Sequence, residues 1–463
     1  MWRFFWCTCT CPRKRGHGTQ LSATETKLNR VSSVGNALRG IPGVGKGGAQ
    51  RSSRNATEGV PYSLLRVAVA AIAVLLFCGS DWLQFRGTDN ASVGGDKQLP
   101  LRFGPDEHVA WKAALPGSGP SGPIVVRGRV VVTAASGASQ DRLHVLALDA
   151  ASGKLRWQRQ LWATGSTTHN PFGGVAANTP ASDGRRIFAL FSSNDLVCFD
   201  LDGNLQWLRG LSYECPLARN NAGMASSPLV VGGAVIAQVQ NAGESFVVAI
   251  DASTGQTRWR IEREQAPIWS SPTVLRGKTP ADDLVLLQSR SNFTAYDPAT
   301  GRVRAVYDHW CDTIASATTC GGRVFLPAAG IHALGCDLTA GRMTLLWSQP
   351  RLRAGESSPV ACGGRLYVVK DGSILVCGDA SDGRILWQLR LKGPIWATPV
   401  LAGGYLYLVN HDGLVQTVRL GDKPEVVGGS RIDPGVLASP AVADGALYFR
   451  CPQSLWKVAR ISP

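Results

Sequence analysis

A twelve-residue pattern recurs along this chain and limits what the chain can fold into. It runs from Leu146 to Trp157 (LALDAASGKLRW) and again from Val248 to Trp259 (VAIDASTGQTRW), and its last nine positions return from Asp379 to Trp387. Two apolar segments flank a turn in which Asp can accept hydrogen bonds from nearby backbone amides and Gly can adopt a positive φ. Each copy therefore predicts a strand, a tight turn and a second strand.

A second signature places a small residue and Pro before an apolar strand, followed by a Gly-Gly or Asp-Gly turn and another apolar strand. Pro at the first residue of a strand removes no ladder hydrogen bond. The eight copies are centred on Pro123, Pro180, Pro228, Pro272, Ala317, Pro359, Pro399 and Pro440, at intervals of 40 to 57 residues. Eight units of this length predict an all-β chain, an eight-bladed β-propeller of four-stranded antiparallel blades.

The two ends of the repeat region predict how the ring closes. The last unit supplies strand-like segments at residues 446–450 and 454–460, and the chain then stops one strand short of a full unit. Residues 109–115 precede the first unit and are similar to the Trp-bearing strands that end other units. We expect this N-terminal strand to pair into the last blade, because closure removes two exposed sheet edges.

The Asp-x-x-Thr/Ser-Gly-Lys/Arg-x-x-Trp repeat resembles that of the pyrroloquinoline quinone (PQQ)-like β-propellers, and the resemblance covers about residues 105–460. This superfamily includes the quinoprotein alcohol dehydrogenases and the BamB-like exported bacterial proteins. The segment Asp81–Gly87 (DWLQFRG) is similar to the W-x-x-F-R-G segment that opens a bacterial exported subgroup with this repeat. WD40 propellers are the fold-level alternative, but no Gly-His and Trp-Asp pairing recurs here.

Three units depart from the repeat. Ala305 stands where the fourth unit should have its Trp, Trp347 stands two places late in the fifth, and the seventh unit ends without a Trp.

The positive charge of the chain is concentrated before the repeat region. The formal net charge is +15, but residues 1–66 hold eleven basic and two acidic residues and so carry +9 of it. The remaining residues hold 37 basic and 31 acidic side chains, a nearly balanced set. A body of this kind offers no basic stripe, so no nucleic-acid partner is expected.

An uncharged apolar segment at residues 67–79 predicts export. Its thirteen residues match the core of a secretory signal and are too few for an ordinary membrane-spanning helix. Cys78 and Ser80 are small residues where a signal peptidase needs them for a cut before Asp81. We predict a signal peptide, with lipidation at Cys78 or an uncleaved anchor as the alternatives.

The predicted organisation has four parts: residues 1–59, 60–80, 81–104 and 105–463. The first is a basic, low-complexity extension that is predicted to be disordered, and we hypothesise that it is a misassigned start preceding a true start near Val60. The second is the signal peptide, the third a leader and the fourth the propeller.

The cysteines predict neither a metal site nor a disulfide framework. Cys7, Cys9 and Cys11 lack a second half at zinc-site spacing. The eight cysteines after residue 81 are expected to be buried thiols, and Cys311 with Cys320 is the one pair that warrants a disulfide test.

The most frequent repeat residues are predicted to be structural. Indole rings suit the wedge between blades, and Asp and Gly suit the turns. These structural residues are Asp149, Gly153, Trp157, Trp207, Asp251, Gly255, Trp259, Asp379, Gly383 and Trp387.

Function is expected on the loops that enter each innermost strand, because these loops converge on the axis of the ring. Two of them are long, at residues 161–178 and 211–226. The candidate ligand- or partner-binding residues are His169, Asn170, Asn178, Arg219, Asn220, Asn221, Trp269, His309, Trp310, Glu356 and Trp396. Aromatic faces, amides, one Arg and a carboxylate suit a sugar, a quinone or a peptide. The alternative is that these groups satisfy one another around a water-filled channel.

The resemblance also raises a catalytic alternative. It implies that a quinoprotein dehydrogenase needs a vicinal Cys-Cys disulfide, a Ca²⁺ site of Glu, Asn and Asp, and a catalytic Asp, and no Cys-Cys occurs in this chain. We therefore expect no catalytic residue, no metal and no cofactor. PQQ is kept only with the alternative, a dehydrogenase or carbohydrate-active enzyme that uses the central funnel.

The sequence thus predicts an exported, monomeric, non-catalytic binding or assembly platform in the periplasm or cell envelope. Its expected partner is an envelope protein or a small-molecule or carbohydrate ligand. Contact with the membrane is expected only through the signal or anchor segment.

Overall fold

The computed structural model of the protein describes residues 81–96, 98–105, 107–220, 222–311 and 314–461. The predicted extension, the predicted signal peptide and the candidate Asn221 lie outside these described residues. Within them the structure has 33 strands, one short helix α1 (Leu211–Glu214) and one 3₁₀ turn (Pro280–Asp282). No helix in the described ranges is long and apolar enough to cross a bilayer.

Two strands, β1 (Val93–Gly94) and β2 (Val109–Ala114), precede four groups of four strands that pair in chain order. Blade 1 has β3 (Ile124–Val126), β4 (Arg129–Ser136), β5 (Arg142–Asp149) and β6 (Leu155–Trp162). Blade 2 has β7 (Ala181–Ser182), β8 (Arg186–Leu190), β9 (Asp195–Asp200) and β10 (Leu205–Gly210). Blade 3 has β11 (Leu229–Val231), β12 (Ala234–Val239), β13 (Phe246–Asp251) and β14 (Thr257–Glu262). Blade 4 has β15 (Thr273–Leu275), β16 (Leu284–Gln288), β17 (Asn292–Tyr296) and β18 (Val303–Asp308).

The remaining strands continue the same pattern. Blade 5 has β19 (Thr318–Cys320), β20 (Arg323–Pro327), β21 (Ile331–Asp337) and β22 (Arg342–Gln349). Blade 6 has β23 (Val360–Cys362), β24 (Arg365–Lys370), β25 (Ile374–Asp379) and β26 (Ile385–Arg390). Blade 7 has β27 (Val400–Ala402), β28 (Tyr405–Val409), β29 (Leu414–Arg419) and β30 (Glu425–Arg431). Blade 8 has β31 (Ala441–Ala443), β32 (Ala446–Cys451), β33 (Ser454–Ala459) and, as its fourth strand, β2.

The all-β prediction with four-stranded antiparallel blades is confirmed, and so is the predicted closure. Strand β2 pairs antiparallel with β33, with Lys112 opposite Trp456 and Ala113 opposite Leu455. A single parallel bridge, between Val306 and Arg342, also links the outermost strands of blades 4 and 5. The last blade is therefore completed by a strand from before the first one, which leaves neither end of the ring with an open edge.

Hydrogen bonds between blades explain the small residue before each Pro of the second signature. The hydroxyl of Thr179 accepts from the backbone N–H of Gly122 at 2.9 Å, and the hydroxyl of Ser227 accepts from that of Thr179 at 3.0 Å. We call this series the hydroxyl ring; it continues through Ser271, Ser316, Ser358, Thr398 and Ser439. Each hydroxyl satisfies a buried N–H that its own blade leaves unpaired.

The repeat Gly is required by the Trp of the preceding blade as well as by its own turn. The Trp157 indole donates to the carbonyl of Leu201 at 2.9 Å, and a Cβ on Gly203 would lie 2.6 Å from the indole ring. A Cβ of any residue other than Gly would therefore collide with the ring. The stacked pairs are Trp111 with Gly153, Trp157 with Gly203, Trp207 with Gly255, Trp259 with Gly301 and Trp347 with Gly383. Trp387 instead donates to the carbonyl of Gly421 at 2.9 Å.

The repeat Asp closes its own turn. The Asp149 carboxylate accepts the backbone N–H groups of Ala151 and Ser152 at 3.1 and 2.8 Å, and it pairs with Arg156. The bond from the Ser152 backbone and the Arg156 side chain lower the pKa of Asp149 to about 2. Hydrogen bonding to the charged form is the usual cause of such a shift. Asp251 and Asp379 hold equivalent turns through the amides of Ser253 and Ser381.

The apolar core is divided among the blade interfaces. In the described residues it forms seven clusters, each built from the facing sides of neighbouring blades, such as Val145 with Phe199 between blades 1 and 2. The eight cysteines in the described ranges belong to these layers or to the turns beside them. Burial raises the pKa of the Cys198 thiol to about 12, and the buried thiol of Cys311 donates to the carbonyl of Ser289 at 3.0 Å.

The leader crosses the end of the ring at which the innermost strands finish. Trp82 exchanges backbone hydrogen bonds with Val125 in blade 1, and β1 pairs in parallel with β27 of blade 7. Further bonds link Leu83 to Ser182 in blade 2, Gln84 to Val230 in blade 3 and Asp96 to Gly445 in blade 8. The leader is thus an integral part of the fold and holds several blades together.

Arg86 of the leader binds between blades 4 and 5. It is fully buried, and its guanidinium donates to the hydroxyls of Thr318 and Thr273 at 2.9 and 3.0 Å and to the carbonyl of Ala317 at 2.6 Å. Burial lowers its pKa to about 9, so the side chain stays protonated at neutral pH. The F-R-G motif therefore places a cation against the innermost strands β15 and β19.

Candidate functional site

The connections from each outermost strand to the next innermost strand lie together at the end of the ring opposite the leader. We call this end the loop face. An outermost strand finishes there and the next innermost strand starts there, so the loops of all blades meet at the axis. The first long loop (residues 161–178) and the second long loop (residues 211–226) both belong to it.

His169 and Asn170 join the two long loops to each other and to blade 1. The Nδ1–H of His169 donates to the carbonyl of Thr167 at 2.9 Å, which leaves Nε2 to accept from the Gln140 amide at 3.1 Å. The amide of Asn170 donates to the carbonyl of Ala222 at 3.0 Å. These two candidates therefore shape the loop face from within.

Asn178 and Asn220 are buried anchors beneath the long loops. The Asn178 amide donates to the carbonyl of Ser226 at 2.6 Å, and the Asn220 amide donates to the carbonyl of Ser192 and to Asn194 Oδ1 at 2.7 and 2.9 Å. Arg219, one residue earlier, is exposed. Sequence reasoning grouped these three residues as polar, but the fold separates two interior amides from one surface cation.

Trp269, Trp310 and Glu356 meet in a cleft of about 440 Å³, although they lie in three different loops. We call it the blade 4–6 cleft, because its lining comes from the loops and turns of those blades; Ile314, Arg353 and Asp371 also contribute. The Trp269 indole donates to the carbonyl of Gly223 at 3.2 Å, which ties the cleft to the second long loop. The sequence did not indicate Asp371, because it lies in the β24–β25 turn, outside the loops that enter innermost strands.

The blade 4–6 cleft combines an exposed aromatic surface with acidic groups. Trp310 is 59% exposed, and Arg290 lies against its ring with the guanidinium carbon 5.6 Å from the centroid. Burial, and then the nearby charge of Asp371, raise the pKa of Glu356. A cation placed between these carboxyl groups would relieve that repulsion and favour the ionised form of both.

His309 belongs to a different cluster, with Tyr307 and His332. The ring centroids of His309 and His332 are 4.4 Å apart, and the Tyr307 hydroxyl lies 2.9 Å from His332 Nδ1. Burial, and then His309, lower the pKa of His332. Tyr307 and His332 lie on strands of different blades, so the repeat pattern did not predict that these two side chains contact each other.

Trp396 contacts the first long loop and not the blade 4–6 cleft. Its ring centroid lies 5.1 Å from that of Phe172, so this loop reaches from blade 1 to the loop that enters blade 7. Trp269 and Trp396 occupy matching repeat positions, but each meets a different long loop. The two long loops thus give equivalent tryptophans unequal surroundings.

The described residues offer no acidic cluster for the Ca²⁺ ion that the family resemblance would require. No group of three His, Cys, Asp or Glu side chains within the described ranges could hold a metal ion. The charged side chain between innermost strands of blades 4 and 5 is the cation Arg86, and hydroxyl groups surround it. Carboxylate and carbonyl oxygens are what Ca²⁺ requires, so this donor set is unsuited to it.

The sequence repeat, the closure of the ring by β2 and the loop face together define a protein class, the PQQ-like β-propellers. A family model described as "Outer membrane protein assembly factor BamB" matches residues 104–307 and 337–422. The chain belongs to this BamB family.

An individual relative agrees with this assignment, and two solved structures are similar in fold. Outer membrane protein assembly factor BamB of Burkholderia pseudomallei (strain K96243) is 24% identical over 351 residues, which are 74% of this chain and 74% of that protein. The structure of BamB from Moraxella catarrhalis has a TM-score of 0.54 at 15% identity, covering 77% of this chain and 98% of that one. A europium-containing methanol dehydrogenase has a TM-score of 0.59 at 15% identity, covering 81% and 90%. At such low identity the two structures show the fold alone.

Proposed function

We propose that this chain is an exported, non-catalytic β-propeller that binds a partner protein in the cell envelope through its loop face. Membership of a family described as an outer membrane protein assembly factor supports a protein-binding role. The apolar segment at residues 67–79 supports export. The catalytic alternative is not favoured, because the matched family is described as an assembly factor and no vicinal Cys-Cys pair occurs in this chain.

The observation that carries the proposal is the set of large apolar side chains exposed on the loop face. They are Trp162, Phe172, Tyr213, Leu217, Trp310 and Ile314, each between 49 and 85% exposed. Grouped exposed apolar residues of this size mark interaction surfaces, and buried Trp and Tyr side chains dominate the energy of protein interfaces. The long loops that carry four of them are anchored by buried amides, which reduces the ordering cost of binding.

The blade 4–6 cleft suits one kind of partner segment. Trp310 and Ile314 offer apolar contact area, while Glu356 and Asp371 offer negative charge beside it. A segment with an aromatic or aliphatic anchor next to Lys or Arg matches this arrangement, because the cation stabilises both carboxylates.

The proposal is tested by affinity capture from envelope extracts with the full chain. The Trp310→Ala/Ile314→Ala variant removes two exposed side chains, so the fold is expected to survive. We expect it to recover the partner at about a tenth of the wild-type level or less. The matched control is Leu155→Ala/Leu205→Ala, which removes two residues, each 54% exposed, at the opposite end of the ring.

The control variant is expected to capture the partner as the wild type does. If the Trp310→Ala/Ile314→Ala variant also recovers the partner at the wild-type level, the loop face is not the binding surface. Circular dichroism of each variant shows whether a lost partner reflects lost binding or lost structure.

A further inference from the structure

A second cavity on the loop face, of about 280 Å³, lies between the first long loop and the loops and turns of blades 7 and 8. We call it the Arg450 cleft, because Arg450 of β32 lines it together with Gln140, His169, Phe172 and His411. It has no lining residue in common with the blade 4–6 cleft.

Arg450 is a buried cation held by backbone carbonyls. It is 1% exposed, and its Nη1 donates to the carbonyls of Cys451 and Pro452 at 2.6 and 3.1 Å. Its Nη2 approaches the carbonyls of Gly117 and Thr133 only at 3.5 Å, and its Nε has no hydrogen-bond partner. Burial lowers the pKa of Arg450 to about 10, so the charge remains at neutral pH.

The weakly used donors of Arg450 share one edge of the guanidinium. Nε and Nη2 form the edge that can bind a carboxylate through two parallel N–H···O bonds. A distance of 3.5 Å is at the limit of a hydrogen bond, so Nη2 retains most of its donor capacity. An anion at this edge would offset part of the cost of burying the charge.

The rest of the Arg450 cleft favours a ligand that is anionic at one end and apolar elsewhere. Among the described residues, no acidic side chain lines it; Asp412 lies 4.0 Å from the His411 imidazole but is not part of the lining. The imidazoles and the Gln140 amide are polar without negative charge, while Phe172 and Leu437 provide apolar surface. Enclosed positive charge beside apolar walls raises the local affinity for anions of this kind.

We propose that the Arg450 cleft binds a carboxylate carried on an apolar or aromatic group. The C terminus of a polypeptide that ends in an apolar residue presents this chemistry, and so does a small hydrophobic acid. The carboxylate pairs with Arg450, and the apolar group packs against Phe172 at the mouth of the cleft.

The test is isothermal titration of the full chain with two matched probe pairs. One pair is 3-phenylpropanoate and 3-phenylpropanamide; the other is the peptide acetyl-Gly-Gly-Phe with a free carboxylate and with an amidated C terminus. We expect each carboxylate to bind about tenfold or more tightly than its amide, because a charge-assisted hydrogen bond is lost in the amide. Tighter binding of the free peptide than of the small acid assigns the cleft to polypeptide C termini, and the reverse assigns it to small acids.

Three variants test whether the probes bind in the Arg450 cleft and not at another surface of the protein. Arg450→Met is expected to remove the preference for carboxylate over amide, and Phe172→Ala, at an exposed position, is expected to weaken binding of both carboxylates. Leu205→Ala, at the opposite end of the ring, is the control and should leave all four affinities unchanged.

Equal affinity for carboxylate and amide, no detectable binding of either carboxylate, or an unchanged preference in a folded Arg450→Met variant would overturn the proposal. If Arg450→Met does not fold, the amide comparison and Phe172→Ala still decide. None of these outcomes depends on whether an envelope protein binds the blade 4–6 cleft.

Discussion

The residues that repeat in this chain are explained by contacts with the neighbouring blade. In seven of the eight units a Ser or Thr at the start of the second signature accepts an N–H from the preceding blade, and the repeat Gly makes room for an indole from that blade. The exceptions fit the same logic. Ala305 replaces Trp in blade 4, and Gly341 of blade 5 correspondingly has open space where a ring would lie. A blade is therefore specified together with its neighbours.

The hydroxyl ring predicts a stability difference between two adjacent serines. Ser271→Ala leaves the buried N–H of Ser227 without its acceptor, and we expect a loss of about 1–3 kcal/mol in the free energy of unfolding. Ser270→Ala removes a buried hydroxyl that has no hydrogen-bond partner, so we expect a change within about 0.5 kcal/mol. Urea denaturation of both variants measures the difference. Equal losses would mean that the ring bond adds nothing beyond side-chain packing.

The site candidates show how far residue-level prediction extends. Trp269, Trp310 and Glu356 were chosen as unexplained residues in short loops, and they share one cleft. Asn178 and Asn220 were chosen as unexplained polar residues in the two long loops, and they lie buried as loop anchors. Polarity and loop position are visible in a sequence, but burial depends on what covers the loop.

The leader is the element whose role the sequence did not reveal. The sequence predicts residues 81–104 to be a leader outside the propeller. In the structure the leader is bonded to the blades and forms part of the fold. A Cβ on Gly428 of β30 would lie 1.9 Å from the Leu101 carbonyl, and Phe103 packs against Phe449 with ring centroids 5.7 Å apart. The leader thus occupies the place where other blades have their Trp, which explains why the seventh unit ends without one.

Two truncations separate the contribution of the leader from that of the closing strand. A chain that starts at residue 105 keeps β2 but loses Arg86 and the bonds to blades 1, 2, 3, 7 and 8, so we expect a lower unfolding temperature. A chain that starts at residue 117 also exposes the edge of β33, so we expect a further decrease and self-association. Thermal unfolding followed by circular dichroism, with light scattering, measures both. An unchanged unfolding temperature after removal of residues 1–116 would contradict the role of β2 in closure.

At the scale of the whole molecule, one fold serves both binding proteins and dehydrogenases, so the site and not the ring decides function. Here the long loops and the exposed aromatic residues lie at one end, and the leader lies at the other. The loop face presents exposed aromatic residues to a large partner, while the innermost strands β15 and β19 bind the chain's own Arg86.

This arrangement predicts that PQQ and Ca²⁺ have no effect on the full chain. Adding both is expected to produce no change in the PQQ absorption spectrum, no dye-linked alcohol oxidation and no rise in unfolding temperature, because no group of three His, Cys, Asp or Glu side chains among the described residues could hold the ion. A known quinoprotein dehydrogenase treated in parallel is the positive control. Reproducible dye reduction by the chain, abolished by chelation of Ca²⁺, would restore the catalytic alternative.

The sequence by itself determined the class of fold, the strand and turn pattern of the units and the strand that closes the ring. These features follow from local sequence patterns that recur from unit to unit. The patterns are alternating apolar residues, Asp and Gly in turns, and Pro at a strand start. Only the tertiary structure decided which loop residues meet, that Arg86 lies between blades 4 and 5, and that Arg450 lines a separate cleft. The two long loops carry no repeat, and the contacts of the loop face join residues far apart in the chain, so their partners become definite only once the ring has brought them together.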